Sequence, residues 1–157
     1  MASIHHTTFI SAPVERVFDL SRSISVHKIS AADTDEKAVA GVTAGLINEN
    51  EWVTWQAKHL FKTRRFTSKI SAMQRPDFFT DEMISGDFKN FRHEHHFKAT
   101  HNGTIMIDKM NFEAPYGLLG ILFCKFYLKK YIEGFLKKRN VVIKEYAESE
   151  KWKAILD

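Results

Sequence analysis

Two histidines, His93 and His95, stand two residues apart in Phe91-Arg-His-Glu-His-His-Phe97. On an extended chain alternate side chains share a face, so both imidazoles lie on the side that carries Phe91 and Phe97. Asp81 alternates in the same way with Phe79 and Met83, and Asp108 with Met106, Met110 and Phe112. His59 follows Val53, Trp55 and Ala57 on one face of another run. Imidazoles beside carboxylates can bind zinc, pass protons as acid and base, or orient one another. His59, His93, His95 and a carboxylate supply the donor types for zinc, but no metal and no cofactor is assigned. A hydrogen-bonded His–Asp network and direct contact with a ligand are the readings left open.

The elements that would hold these groups follow from periodicity. Ile4 to Ser11 is rich in β-branched and aromatic residues and reads as a strand. Pro13 fits the first turn of a helix whose apolar face is Val14, Val17 and Phe18, and a second short helix begins after Ser23. Residues 30–37 are a polar loop without the calcium-loop pattern, and 38–50 read as an edge strand or loop. From Glu51 the period is two. Phe66, Ser68, Ile70 and Ala72 share a face, and Asn102-Gly103 marks a hairpin.

After Pro115 the chain turns helical from Gly117 to Tyr146. Leu128, Ile132, Phe135, Leu136, Arg139, Val142, Ile143 and Tyr146 form an apolar stripe broken by one arginine. Leu118 to Leu128 is apolar on nearly every side, which predicts that the sheet covers it. The layout is α+β: a curved antiparallel sheet gripping a long C-terminal helix, with two short helices after the first strand. No linker or repeat interrupts it, so residues 1–157 are expected to form one domain.

The inward faces collect Trp55, His59, Phe66, Ile70, Phe79, Met83, Phe91, Phe97, Met110 and Phe112, with Asp81, His93, His95 and Asp108 among them. Buried charges without partners are costly, so a strand facing a solid core seldom carries such groups. Apolar walls with a few convergent polar groups suit a small-molecule cavity.

The 157 residues include 13 Phe but only 7 Gly and 3 Pro, a globular composition. Cys124, the single cysteine, excludes an internal disulfide and reads as a buried thiol between Phe123 and Phe126. The net charge is +4, yet residues 118–144 alone carry +6, leaving −2 elsewhere. That basic helix face is either solvated or in weak contact with a membrane surface. Nucleic acid is not expected, because the basic residues lack an interleaved exposed aromatic platform. The N-terminus has no signal-peptide core, so a cytoplasmic location is expected. There is no Gly-x-Ser-x-Gly, His-Glu-x-x-His, Gly-x-x-x-x-Gly-Lys or Gly-x-Gly-x-x-Gly, so no nucleophile, zinc-protease or nucleotide site is selected.

Several motifs resemble the START-like, or SRPBCC, helix-grip superfamily of the polyketide cyclase/dehydrase and lipid transport type. They are Thr-Thr-Phe-Ile-Ser-Ala-Pro-Val-Glu-Arg-Val-Phe at 7–18, Glu-x-Val-Thr-Trp-x-Ala-Lys-His at 51–59, and Arg-Pro-x-Phe-Phe-x-Asp-Glu-Met-x-x-Gly at 75–86. Phe-x-x-Phe-Arg-His-Glu-His-His-Phe at 88–97, Gly-Thr-x-x-x-Asp at 103–108 and Pro-x-Gly-x-Leu-Gly at 115–120 complete the match. The middle segments are similar to a bacterial ligand-binding subgroup sometimes named cell-division inhibitor. The resemblance implies a cavity between sheet and helix for a hydrophobic small molecule or lipid. Carried over by position, it implies that Trp55, His59, Asp81, His93, His95 and Asp108 face that cavity, with Leu119, Leu122 and Phe126 from the helix. Some relatives are cyclases or hydrolases, so an enzyme using the His and Asp groups on an aromatic or polyketide-like substrate is the alternative. No catalytic residue is assigned, and the oligomeric state is not read from the sequence.

Overall fold

The period-two runs become seven antiparallel strands in a computed structural model that describes residues 1–157. They are β1 (Ala2–Ile10), β2 (Lys37–Gly41), β3 (Trp52–His59), β4 (Lys62–Gln74), β5 (Phe78–Ser85), β6 (Asn90–Thr100) and β7 (Gly103–Glu113). Their order across the sheet is β1-β7-β6-β5-β4-β3-β2. The first two strands in sequence are therefore the two edges. Between them run α1 (Val14–Ser21) and α2 (Ile24–Ser30), which carry the chain from one edge to the other and close that end of the sheet.

Pro13 sits at the cap of α1, where its missing N–H costs nothing, and Ser23 caps α2 by accepting a hydrogen bond from the Val26 N–H at 3.3 Å. The ring of Phe18 is fully buried and meets Phe79 and Phe97 edge-on, with centroids 5.6 and 5.3 Å apart. These contacts anchor the larger of two apolar cores. The smaller gathers Ile4, Met110, Phe112, Ala114, Cys124 and Leu136.

Two departures from the expected pattern have local causes. Ile70 faces Asp81 across the sheet but Ala72 faces Thr80, so Ser71 is an extra residue in β4. The bulge reverses the alternation, and Met73 rather than Ala72 packs on the core. The second departure concerns the last helix. It runs from α3 (Gly117–Phe123) through a π-helical turn at Cys124–Leu128 into α4 (Lys129–Glu148), followed by a short α5 (Lys153–Leu156). The predicted stripe is found on α4, where Leu136 and Ile143 are buried and Val142 and Tyr146 pack on the core. The predicted cover over the helix start is not found. Leu118, Leu119 and Phe126 are 80%, 78% and 69% exposed, and of α3 only Gly120 is buried. Leu118, Leu119, Ile121, Leu122 and Phe123 are exposed on every side of α3, so the helix start stands away from the sheet, joined to the packed α4 by the π-turn. Gly120 is held so close to the Pro115 carbonyl that a Cβ there would lie 1.8 Å from the oxygen.

Candidate functional site

Two adjoining chambers lie between sheet and helix. The inner one, of about 210 Å³, is floored by the central strands and bounded by α2 and α4. The outer one, of about 780 Å³, lies beneath α3 and beside the β3–β4 turn. Glu36, Phe66, Phe91, Met110, Ile132 and Phe135 line both and form a throat between them that is apolar but for one carboxylate.

Of the residues singled out in the sequence, Trp55, Ile70, Phe79, Asp81, His93 and His95 line the inner chamber. His59 and Leu119 line the outer one, and Phe66, Phe91 and Met110 line both. Six line neither. Phe97 is taken up beneath Phe18, and Phe112 packs edge-on against Phe88 with centroids 5.8 Å apart. Met83 lies against Gly86 at the end of its strand. Leu122 and Phe126 are exposed, because α3 is lifted from the sheet. Asp108 is fully buried beneath the two histidines.

Strand register brings the ionisable groups together: Asp81 lies opposite His93, and His95 opposite Asp108. Asp108 Oδ1 accepts from both His93 Nε2 and His95 Nδ1 at 2.9 Å, while Oδ2 accepts from the Asn140 amide at 2.7 Å. His95 Nε2 is 2.8 Å from Asp81 Oδ2. Burial would raise the Asp108 carboxyl, but the hydrogen bonds from His93 and His95 outweigh it and hold the group well below the usual carboxylate range. Burial would also raise Asp81, and the hydrogen bond from His95 with nearby positive charge brings it down instead. His93 is lowered, first by burial and then by His95, with the Asp108 hydrogen bond opposing. His59 stands apart: its Nδ1 bonds the Tyr131 hydroxyl at 3.0 Å, so the zinc set of His59, His93 and His95 weighed from the sequence is not assembled.

Arg139, the residue that broke the helical stripe, also lines the inner chamber. Its Nη2 donates to the Ser21 carbonyl at 2.7 Å, but Nη1 has no hydrogen-bond partner and lies 3.8 Å from Asp108 Oδ1. A lone arginine inside an apolar stripe was its sequence signal. His27 and Glu36 gave none: His27 stacks on Trp55 at 4.1 Å and bonds Glu36 at 3.0 Å on the chamber wall. Chemically the chamber offers carboxylates, imidazoles and one unsatisfied cationic donor behind a largely apolar throat.

No protein-family model and no curated protein sequence matches the chain. Solved structures do. TTHA0849 from Thermus thermophilus is 18% identical, with a TM-score of 0.70 over 90% of this chain and 97% of that one. A START superfamily protein from Mycobacterium smegmatis is 10% identical, with a TM-score of 0.68 over 93% and 97%. Ginseng major latex-like protein 151 from Panax ginseng is 13% identical, with a TM-score of 0.67 over 93% and 97%. The fold is thus the α+β helix-grip of START-like domains. At these identities the likeness extends to the fold and not to a function. No helix of the chain is long and apolar enough to cross a membrane.

Proposed function

We propose that the protein binds a hydrophobic small molecule or lipid with one polar end. The observation that supports this best is the unsatisfied Arg139 Nη1 in a chamber reached through a largely apolar throat. The tail would lie in the outer chamber and an acceptor group, such as a carboxylate, against Arg139. Burying about 300 Å² of apolar surface contributes on the order of 7 kcal/mol, close to micromolar affinity before ordering costs. The test is fluorescence titration with 8-anilinonaphthalene-1-sulfonate and its displacement by decanoic acid or decanol. One saturable site is expected, closed by Ile132→Trp, with Arg139→Gln weakening decanoic acid about tenfold and decanol little. Absence of saturable binding, or indifference to Ile132→Trp, overturns the reading. In the enzymatic alternative His95→Ala would abolish turnover of an aromatic or polyketide-like substrate while leaving its binding nearly intact.

A second reading, contact with a membrane surface, is favoured by α3. Leu118, Leu119 and Phe126 are exposed beside Lys125, Lys129 and Lys130, also exposed. An apolar tip ringed by lysines suits an anionic bilayer. Sedimentation with phosphatidylglycerol vesicles should carry the protein down in low salt, and Leu119→Glu with Phe126→Glu should abolish this. Equal sedimentation of that variant removes the reading.

A further inference from the structure

The bonds of the His–Asp cluster fix where its hydrogens are. Asp108 Oδ1 is 2.9 Å from His93 Nε2 and 2.9 Å from His95 Nδ1, and an ionised carboxylate only accepts, so both of those nitrogens carry hydrogen. The opposite nitrogens point the other way. His93 Nδ1 makes no bond to Asp108 and stands 4.0 Å from Asp81 Oδ2. His95 Nε2 stands 2.8 Å from the same oxygen. A second carboxylate at the second nitrogen of His95 requires either another hydrogen or a cation between them. Asp81 and Asp108 supply two negative charges and Arg139 one positive, so one further positive charge, a proton on His95 or a metal ion in its place, balances the cluster.

We propose that Asp81, His93 and His95 form a divalent-metal site, with Asp108 as the buried carboxylate that orients both imidazoles. The donor set of two imidazole nitrogens and one carboxylate suits zinc or a similar first-row ion and leaves coordination positions facing the inner chamber. The three donor atoms lie within 4.8 Å of one another. Ligands at about 2.0–2.1 Å from a tetrahedral ion are about 3.3 Å apart, so the His93–Asp81 pair at 4.0 Å must close by less than about an ångström, the His95–Asp81 pair at 2.8 Å must open by about half an ångström, and the widest pair must close by at most about 1.5 Å. Histidines that bind metal commonly pass their other N–H to a carboxylate, and Asp108 receives both. Binding forms a bond from the ion to His95 Nε2 and breaks the N–H bond there, with the proton leaving to solvent.

The site goes beyond the hydrophobic-ligand reading and is tested separately, on full-length protein stripped with a chelator. Zn²⁺ is titrated by calorimetry in two buffers of different ionisation enthalpy, and Co²⁺ by visible absorption. One ion per chain is expected at micromolar affinity or tighter, with about one proton released and with cobalt ligand-field bands. Asp81→Asn and His93→Ala should each weaken binding at least 100-fold, and Asp108→Asn, a positioning residue, 10- to 100-fold. Two exposed histidines away from the cluster supply a control: His5→Ala with His101→Ala should change nothing. No saturable binding below about 100 μM, indifference to Asp81→Asn, or loss with the His5/His101 variant overturns the proposal. If the cluster variants do not fold, imidazole nitrogen shifts of the wild type on Zn²⁺ addition decide: movement at His93 Nδ1 and His95 Nε2 supports the site, and movement only at other histidines ends it. Naphthalene-sulfonate binding that persists in a protein unable to take up zinc separates this failure from failure of the ligand reading.

Discussion

Replacing Asp108 by asparagine changes one atom and removes one charge from beneath the two histidines. The carboxylate is fully buried and receives three hydrogen bonds, from His93, His95 and Asn140. Hydrogen bonds to a charged group contribute about 1.5–3 kcal/mol and neutral ones about 0.5–1.5, so three exchanges lose roughly 3 kcal/mol. The new amide nitrogen must also face a donor. If it replaces Oδ2 it opposes the Asn140 amide, whose Oδ1 has no partner and could turn to meet it only by giving up the 3.3 Å bond to Thr8. Arg139, 3.8 Å from Oδ1, loses a neighbouring negative charge. Together these put the loss at about 3–4 kcal/mol, within the range for breaking a buried charged pair. With a urea m-value near 2 kcal/mol/M the midpoint should fall by roughly 1.5–2 M. The measurement is urea unfolding of chelator-treated protein at pH 7, followed by Trp fluorescence and circular dichroism. The sign of the pH dependence is set by the lowered carboxyl. Asp108 contributes fully above its unfolded value of about 4, and the contribution fades only as pH falls toward the folded value. The difference between wild type and variant should therefore hold from pH 7 to about pH 4 and shrink below it. A difference under 1 kcal/mol at pH 7 would mean that the cluster is not a bonded unit, and the reasoning would fail.

Phe18→Ala should cost about 3–5 kcal/mol in the same assay, since a fully buried ring between Phe79 and Phe97 leaves a cavity that the sheet cannot close. Gly120→Ala should cost about 1–3 kcal/mol and displace α3, because the new methyl would meet the Pro115 carbonyl; an unchanged melting temperature would contradict this. His59 is lowered by burial, with Glu36 opposing and Arg64 adding to the effect. The unfolded chain therefore takes up that proton first as pH falls below about 6.5, and stability drops between there and the folded value. In His59→Asn this part of the acid sensitivity should disappear, and an NMR titration of His59 should give a midpoint below 6.5.

The sequence shows the faces of the strands but not their register, and the candidate site depends on register. Period-two alternation places His93 and His95 on one side of β6 and Asp108 inward on β7, because a strand buried on one face leaves little freedom. It cannot say that Asp81 will lie opposite His93 and Asp108 opposite His95, a pairing set by how far each hairpin turn offsets its strands. One extra residue is enough to defeat the pattern: the bulge at Ser71 sends Met73 inward where Ala72 was expected. The C-terminal helix shows the same limit. Its stripe from Leu128 to Tyr146 is legible because apolar spacing near 3.6 has one packed solution. The π-turn at 124–128 carries no proline or glycine to announce it, so the break between the exposed α3 and the packed α4 is silent in the sequence. Arg139 lies between these cases. Its place inside the apolar stripe marks it as inward, but its role depends on what stands beneath it. That is Asp108, 3.8 Å away and more than thirty residues earlier in the chain. A buried cationic donor with one nitrogen unsatisfied is therefore a property of the assembled register.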